Sequence, residues 1–521
     1  MKKKIISIIA VLLMITVTVP FLFSCGEAEV GGNDNNDNNT TKTEIKINET
    51  PIANYTIIYA EEELNFGLNA AEYVRDGIKE ATGAELEIKL DTEAEETEYE
   101  IVIGATNRAI SAEAAKVELG GYEFITAAKG TKIVLYGKEY MVAGAAYSFV
   151  NNTLASGSLA EEFTPASPEF QTPNNIILVI GDGMGFNSLE YGEDMFESGK
   201  YILVEDTIMY DQYKVADRLP YKATSHTRSA DVEPVTDSAA GGTALATGYK
   251  TYNGMIGLDV NYQPIKNLSE LAKEKGKMAA VLTTDEKTGA TPSAFSAHSA
   301  SRDDSREISK TQEESPVDIL IGSIRNPYGI ISSTLEKLDK AENGFFMMYE
   351  EAHIDKSNHS NSSESLYKAY TRLNTALRMF SEYVMYNPDT VLILTADHET
   401  GGITWDEEAS SYKYTTGNHT GVCVPFYAIG KGVEHIDGNK YDNTYIPKMI
   451  ARLMGEENFG DPTLEEATEK TGLEELSAKD TIALAKQMKT AESNYKEIIA
   501  QQEQEIIEAK KVLRESWGLA S

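Results

Sequence analysis

The chain has 521 residues, with 47 Lys and Arg against 82 Asp and Glu and a formal charge of −35. Such acidity excludes a nucleic-acid partner, which calls for a basic stripe to meet phosphates, and a hydrophobic fraction of 41% excludes wholesale disorder. Two Cys exclude a disulfide-built scaffold and any zinc module built from four cysteines, while the length allows about three domains.

In chain order, Lys2-Lys3-Lys4 lead into an apolar run from Ile5 to Phe23. A basic start, a short apolar core and a small residue are the marks of an export signal. Leu22-Phe23-Ser24-Cys25 resembles a bacterial lipobox, whose Cys becomes the lipidated first residue of the mature protein. Residues 1–24 therefore read as a lipoprotein signal peptide, and the mature protein as exported and lipid-anchored to the bacterial cell envelope through Cys25. A plain transmembrane anchor or a soluble secreted chain are the alternatives. Removing 1–24 takes three Lys and no acid, leaving 44 − 82 = −38. Residues 25–50 include GGNDNNDNNTTKT, which cannot bury a core and reads as a flexible linker.

Residues 51–160 predict a small α/β unit. Tyr55–Tyr59 is a strand candidate; Leu68, Ala71, Val74 and Ile78 recur at helical spacing, ended by Thr82-Gly83. Further strands are expected at Tyr99–Gly104 and Lys132–Tyr136, and a helix at Met141–Asn151. No titratable cluster there has catalytic spacing, so its expected role is accessory, as spacer or ligand-binding module. The unit resembles small α/β domains that precede catalytic modules in some secreted carbohydrate-active enzymes. Ala155–Pro173, rich in Ser, Pro and Glu, marks a boundary. Residues 456–521 read as a charged helical C-terminal extension.

Between 174 and 430, apolar strand-like runs end in acids. Ile176–Ile180 leads to Asp182, Phe345–Tyr349 to Glu350, and Val391–Thr395 to Asp397-His398. Short buried runs between helical segments predict a largely parallel sheet covered on both faces, whose ligands bind at the strands' carboxyl ends. Three such ends with an Asp-His pair point to a metal site. Asp355 and His359, four apart, share a face if helical, and Asn418-His419-Thr420-Gly421 precedes another strand. Asp and His suit Zn²⁺, whereas carboxylate with hydroxyl suits Mg²⁺. Ser238, in Val235-Thr236-Asp237-Ser238-Ala239-Ala240-Gly241-Gly242-Thr243, precedes small residues that should open a helix, where free N–H groups favour an anionic oxygen. An ordinary N-cap is the alternative. Cys423, in an apolar run, reads as a small buried hydrophobe.

These segments resemble the alkaline phosphatase family. Val235–Thr243 fits its nucleophile signature, continued by Thr247-Gly248-Tyr249-Lys250-Thr251-Tyr252-Asn253-Gly254. Ala290-Thr291-Pro292, Ala297-His298-Ser299-Ala300-Ser301-Arg302, Glu350 through His359, Thr395–His398 and His419-Thr420-Gly421 follow in order. The resemblance covers about 174–455 and implies a three-layer α/β sandwich around a mostly parallel sheet, here preceded by the small α/β domain. It implies hydrolysis of phosphate monoesters with two Zn and one Mg. Ser238 corresponds to the phosphorylated nucleophile, and Arg302 to the guanidinium that clamps phosphate. Asp355, His359 and His419 would hold one Zn, and Asp182, Asp397 and His398 the other. Asp182, Thr291 and Glu350 would hold Mg. Lys356 matches the lysine that reaches phosphate through water in the bacterial enzymes. Gly289 departs from the pattern, because the residue two before Thr291 is often Asp or His; its loss should leave Lys356 less neutralised.

The resemblance leaves a homodimer open and implies no nucleic-acid partner. A phosphodiesterase or sulfatase of the same superfamily is the neighbouring reading. Arg302 disfavours diesters, and Ser238 lacks a C/S-x-P-x-R context. A surface lipoprotein whose 51–160 unit binds a ligand is the reading from another class.

Overall fold

The computed structural model describes residues 44–61, 65–197, 218–232 and 235–463. The expected signal peptide, Cys25, most of the expected linker and residues 464–521 lie outside the described residues. The expectation of a linker reaching residue 50 is corrected, because β1 (Lys46–Ile47) and β2 (Thr50–Pro51) pair as a hairpin. Ile47 is buried in the core, which ties this stretch down.

The small unit follows as β3 (Thr56–Tyr59), α1 (Phe66–Thr82), β4 (Ile88–Leu90), β5 (Glu100–Ile103), α2 (Ala109–Ala114), β6 (Phe124–Lys129), β7 (Lys132–Gly137) and α3 (Met141–Ser148). Its sheet has the order β4-β3-β5-β7-β6, parallel except at the β6 edge. Helix α1 ends at Gly83, whose φ of +80° supplies the left-handed cap that a residue with a Cβ resists. Helix α3 continues through a π turn to Ser156.

The larger unit begins with β8 (Asn175–Gly181), α4 (Phe186–Glu197), β9 (Tyr221–His226), α5 (Ser238–Thr247), α6 (Leu268–Glu274), β10 (Met278–Thr283) and α7 (Ala290–Ala294). Next come α8 (Ser305–Glu314), β11 (Ile319–Ile321), α9 (Pro327–Leu338), β12 (Phe345–Glu351), α10 (His353–His359), α11 (Ser363–Tyr386) and β13 (Thr390–Thr395). Two short ladders follow, β14 (Glu399–Thr400) with β17 (His419–Thr420) and β15 (Thr404–Asp406) with β16 (Ser411–Lys413). The unit closes with β18 (Val424–Ile429), β19 (Lys440–Asp442) and α12 (Tyr445–Leu453).

Eight strands form one sheet in the order β11-β10-β12-β8-β13-β18-β9-β19. Only β18 runs against the others, pairing antiparallel with both β13 and β9. Every residue of β8, β12 and β13 is buried, as a parallel sheet covered on both faces requires. Ile177 and Val179 of β8 face the layer of α4, α9 and α11, while Ile176, Leu178 and Ile180 face that of α5, α6, α7 and α12. The three-layer α/β sandwich is thus the observed architecture, with the small α/β region before it.

The register places the chemistry. Thr283 of β10 stands beside Glu350 of β12, which pairs with Ile180 of β8, itself opposite Thr395 of β13. The residues after this row, Asp182 and Asp397, therefore emerge at one edge.

The small unit also packs on the larger one. The apolar residues of α1, α3 and one face of its sheet belong to the same continuous core as α11 and one face of the larger sheet, while Val102, Ile125 and Val134 pack in a separate cluster on its other face. Tyr73 of α1 packs on Tyr386 of α11 with ring centroids 4.7 Å apart, and Asn69 donates to Glu382 at 2.9 Å. Glu139 lies 3.2 Å from Arg218 and 3.6 Å from Arg378, both buried. Among the described residues no helix is long and apolar enough to cross a membrane.

Candidate active site

Helix α5 starts at Ser238 because Asp237 caps it, accepting from the Ala240 N–H at 2.9 Å. The other Asp237 oxygen accepts from the Gly254 N–H at 2.9 Å and from Arg302 at 3.0 Å. One carboxylate therefore fixes both the helix start and the guanidinium. The small-residue run after Ser238 has a packing cause: a Cβ on Gly241 would stand 2.9 Å from the Asp397 carbonyl oxygen, and one on Gly242 3.2 Å from Thr291 Cα. The helix thus lies directly against the strand ends that carry the acids. Ser238 Oγ is 3.1 Å from His398 Nε2 and 3.5 Å from Asp182 Oδ1, and the residue is 3% exposed.

Two groups of ligand atoms surround this oxygen. Asp182, Asp397 and His398 form one compact cluster, with His398 Nε2 at 3.5 Å from Asp182 Oδ1 and 3.4 Å from Asp397 Oδ2. In the other, Asp355 Oδ1 lies 3.3 Å from His359 Nε2 and 3.5 Å from His419 Nε2. Asp355 and His359 sit four apart on α10, and β17 brings in His419. Thr291 Oγ1 lies 3.4 Å from Asp182 Oδ2, and Glu350 accepts from Thr283 Oγ1 beside them. Every metal-ligating residue expected from the sequence is therefore brought together at this edge, with Ser238 against the Asp182–His398 group and the His398 ring stacked at 3.7 Å on His419 of the other.

Proton counting tests whether cations fit. His359 Nδ1 faces the Gly417 carbonyl at 2.7 Å, and His419 Nδ1 faces the Thr236 carbonyl at 2.9 Å. A carbonyl only accepts, so each Nδ1 carries a proton, and each Nε2 offers a lone pair when its ring is neutral. Those two Nε2 atoms stand 3.0 Å apart, so either a proton or a metal ion is shared between them. His298 provides a contrast: its nitrogens face the Gly257 carbonyl at 2.7 Å and Glu270 at 3.2 Å, so it has no lone pair to offer and is a structural member of the signature.

The electrostatics agree. Burial, then the charges of Asp397 and Asp355, push the Asp182 carboxyl well above its ordinary range. Burial chiefly raises Glu350 to about 8 and Asp397 to about 7. Burial also acts on Asp355, but the hydrogen bonds from His419 and Thr400 and the nearby imidazoles overcome it and hold this carboxyl at about 2. Burial, then His419, keeps His398 neutral down to about 3. Asp397 Oδ2 is buried and accepts no hydrogen bond among the described residues. Buried acids that resist ionisation alone, beside the neutral imidazole of His398, are the setting a divalent cation relieves.

Four residues that sequence reasoning missed support the site. Thr283 holds Glu350, and Arg372 grips the buried Glu351 next to it through Nε at 2.9 Å and Nη2 at 2.7 Å. Thr400 donates to Asp355 at 2.6 Å. Asp285 pairs with Lys356, which corrects the expectation that Gly289 leaves this lysine less neutralised. A Cβ at Gly289 would stand 2.8 Å from Asp285 Oδ2, so a side chain at 289 and the carboxylate of Asp285 compete for one place. The spacing rule of helices would not find Asp285; its only signal is an acid at the end of β10. Replacing Asp285 by Asn frees the Lys356 charge for phosphate. We expect product inhibition by phosphate to tighten by about threefold to tenfold, the scale of one partly screened ion pair, as read from the phosphate inhibition constant.

Cys423 also departs from expectation. It is half-buried rather than buried, with Sγ 3.1 Å from His226 Nδ1.

A serine at a capped helix start, beside joined Asp/His clusters and with an arginine held by the capping aspartate, defines a metal-binding hydrolase of the phosphatase class. The family profile for alkaline phosphatase matches residues 173–326 and 328–414. Over this region, 241 of the 521 residues, the chain is similar to the alkaline phosphatase family, and this similarity supports phosphatase-type hydrolysis. Alkaline phosphatase 4 of Bacillus subtilis is 27% identical over 333 residues, which is 51% of this chain and 71% of that protein. Alkaline phosphatase H of Pseudomonas aeruginosa is 40% identical over 134 residues, 25% of this chain and 26% of that one. Among solved structures, the alkaline phosphatase of the Antarctic bacterium TAB5 superposes with a TM-score of 0.47 at 24% identity, over 55% of this chain and 99% of that one. A variant of that enzyme has Mg bound in a site called M3.

Proposed function

We propose that the protein hydrolyses phosphate monoesters through a phosphoserine at Ser238, with two Zn and one Mg. The observation that carries this reading is the position of Ser238 Oγ, 3.1 Å from His398 Nε2 at the first turn of α5, with Arg302 anchored to the adjoining Asp237. Asp355, His359 and His419 would hold one Zn, Asp182, Asp397 and His398 the second, and Asp182, Thr291 and Glu350 the Mg. When bound, such ions lower the pKa of hydroxyl and water and stabilise attacking and leaving oxygens.

The chain's own groups do the rest. Arg302, held through one nitrogen by Asp237, presents the remainder of its fork to two phosphate oxygens. Ser238 Oγ loses its proton and attacks phosphorus, and the ester P–O bond breaks opposite it. The alcohol departs with a proton. Unpaired N–H groups in the first turn of α5 favour negative charge on Oγ and on the phosphoryl oxygens. Water then attacks the same phosphorus, the Oγ–P bond breaks, Ser238 regains its proton and phosphate leaves. Lys356, paired with Asp285, would meet phosphate charge through water.

The test compares rates on a chromogenic phosphate monoester, a diester and a sulfate ester. The monoester should be fastest by at least about tenfold, because a second ester group would occupy the place Arg302 grips. Chelation should abolish turnover, and zinc with magnesium should restore it. A faster diester rate, or turnover that survives exhaustive chelation, rejects the reading.

We further propose export and lipid anchoring through Cys25, supported by the Leu22–Cys25 lipobox after a basic, apolar leader. Mass spectrometry of the protein from envelope fractions should show an acylated Cys25 as the first residue. An unmodified Cys25 on a protein retaining residues 1–24 would reject it.

A further inference from the structure

Thr400 is fully buried on β14, directly across the ladder from His419. Its N–H donates to the Gly183 carbonyl at 3.1 Å, which seats the residue against the loop after β8. Gly183 has φ +70°, and a Cβ there would stand 2.8 Å from both Thr400 Oγ1 and Asp355 Cβ, so the fold holds this space open for the hydroxyl. Thr400 Oγ1 has two polar neighbours, Asp355 Oδ1 at 2.6 Å and His398 Nδ1 at 3.2 Å.

A hydroxyl carries one proton. The carboxylate can only accept, so that proton points to Asp355. Towards His398 the hydroxyl must then accept, which places the imidazole proton on Nδ1 and leaves the Nε2 lone pair facing Ser238 and Asp182. The other two imidazoles of the site are oriented by main-chain carbonyls, of Gly417 and Thr236. His398 alone of the three takes its tautomer from a side chain. That side chain also holds Asp355, which belongs to the opposite ligand group.

We propose that Thr400 is a positioning residue that fixes the tautomer of His398 and the orientation of Asp355 together, so that the two ion sites are set by one hydroxyl. The inference rests on the two-zinc reading given above. Loss of such an outer partner typically costs about 10–100-fold in metal affinity.

The test uses the full chain and its Thr400→Val and Thr400→Ser variants, stripped of metal and titrated with zinc. Zinc affinity should fall about 10–100-fold in Thr400→Val and return in Thr400→Ser. In the stripped proteins labelled with ¹⁵N-histidine, the His398 ring should be protonated at Nδ1 in wild type and Thr400→Ser. In Thr400→Val that preference should be lost. Unchanged zinc affinity in Thr400→Val, or an Nδ1-protonated His398 without the hydroxyl, overturns the proposal. Should Thr400→Val not fold, Thr400→Ala removes the hydroxyl without a branched methyl, and equal zinc affinity of the Ala and Ser forms overturns it in the same way. A wild-type chain that takes up no zinc would reject the ion reading, while the tautomer comparison still decides the role of Thr400.

Discussion

Replacing Ser238 by Ala should lower kcat/KM for phosphate monoesters by about three to six orders of magnitude, the range for deleting a covalent nucleophile. The size follows from the geometry. Oγ lies between His398 Nε2 and Asp182 Oδ1, and no other hydroxyl described at the site stands in that gap. Thr291 and Thr400 are already committed to Asp182 and Asp355. Phosphate binding should persist, because Arg302 is anchored by Asp237 and not by Ser238. Acid-quenched wild-type protein should carry one phosphoryl group on the Ser238 peptide, and the variant none. A variant that keeps more than a hundredth of the activity would remove Ser238 from the mechanism.

The largest expected loss of stability comes from Arg372→Leu. Glu351 has no exposed surface, yet its carboxyl is held below the ordinary range. Burial opposes ionisation there, and the His353 contact and the paired nitrogens of Arg372 overcome it. Removing the arginine strands an ionised or newly protonated acid in the sheet, at a cost of about 3–5 kcal/mol. Urea unfolding should show the midpoint fall with little change in slope. The double variant Glu351→Gln with Arg372→Leu should recover much of the loss, since an amide costs less to bury than an unpaired carboxylate. Glu351 adjoins Glu350, so the single variant should also weaken the proposed magnesium site.

Residues whose role comes from a strand end or a helix start were legible in the sequence. Asp182, Glu350 and Asp397 follow apolar runs, and the parallel register then brings them to one edge whatever the loops do. Ser238 was legible because small residues crowd after it. Thr400 and Asp285 were not, because each matters through a partner 45 or 71 positions away in the chain. Neither pairing leaves a local pattern. The consequence assigned to Gly289 failed for the same reason: a missing acid was noticed in sequence, and its substitute four residues earlier is evident only in space. His298 shows the converse, a signature histidine whose two acceptors make it structural. The expected linker overran because Ile45 and Ile47 are two apolar residues in a polar stretch, and their packing on the core is what marks them.

The junction between the small and large units has a thermodynamic consequence. Glu139 stands between two buried arginines of the neighbouring unit, and Tyr73 packs on the long helix that leads into β13. Parting these surfaces would strand charge and open a continuous apolar face, so neither half should melt ahead of the other. Calorimetry of the whole protein should record one endotherm rather than two, with calorimetric and van't Hoff enthalpies in agreement. A protease should find no early cut between them, and a fragment ending near residue 160 should aggregate.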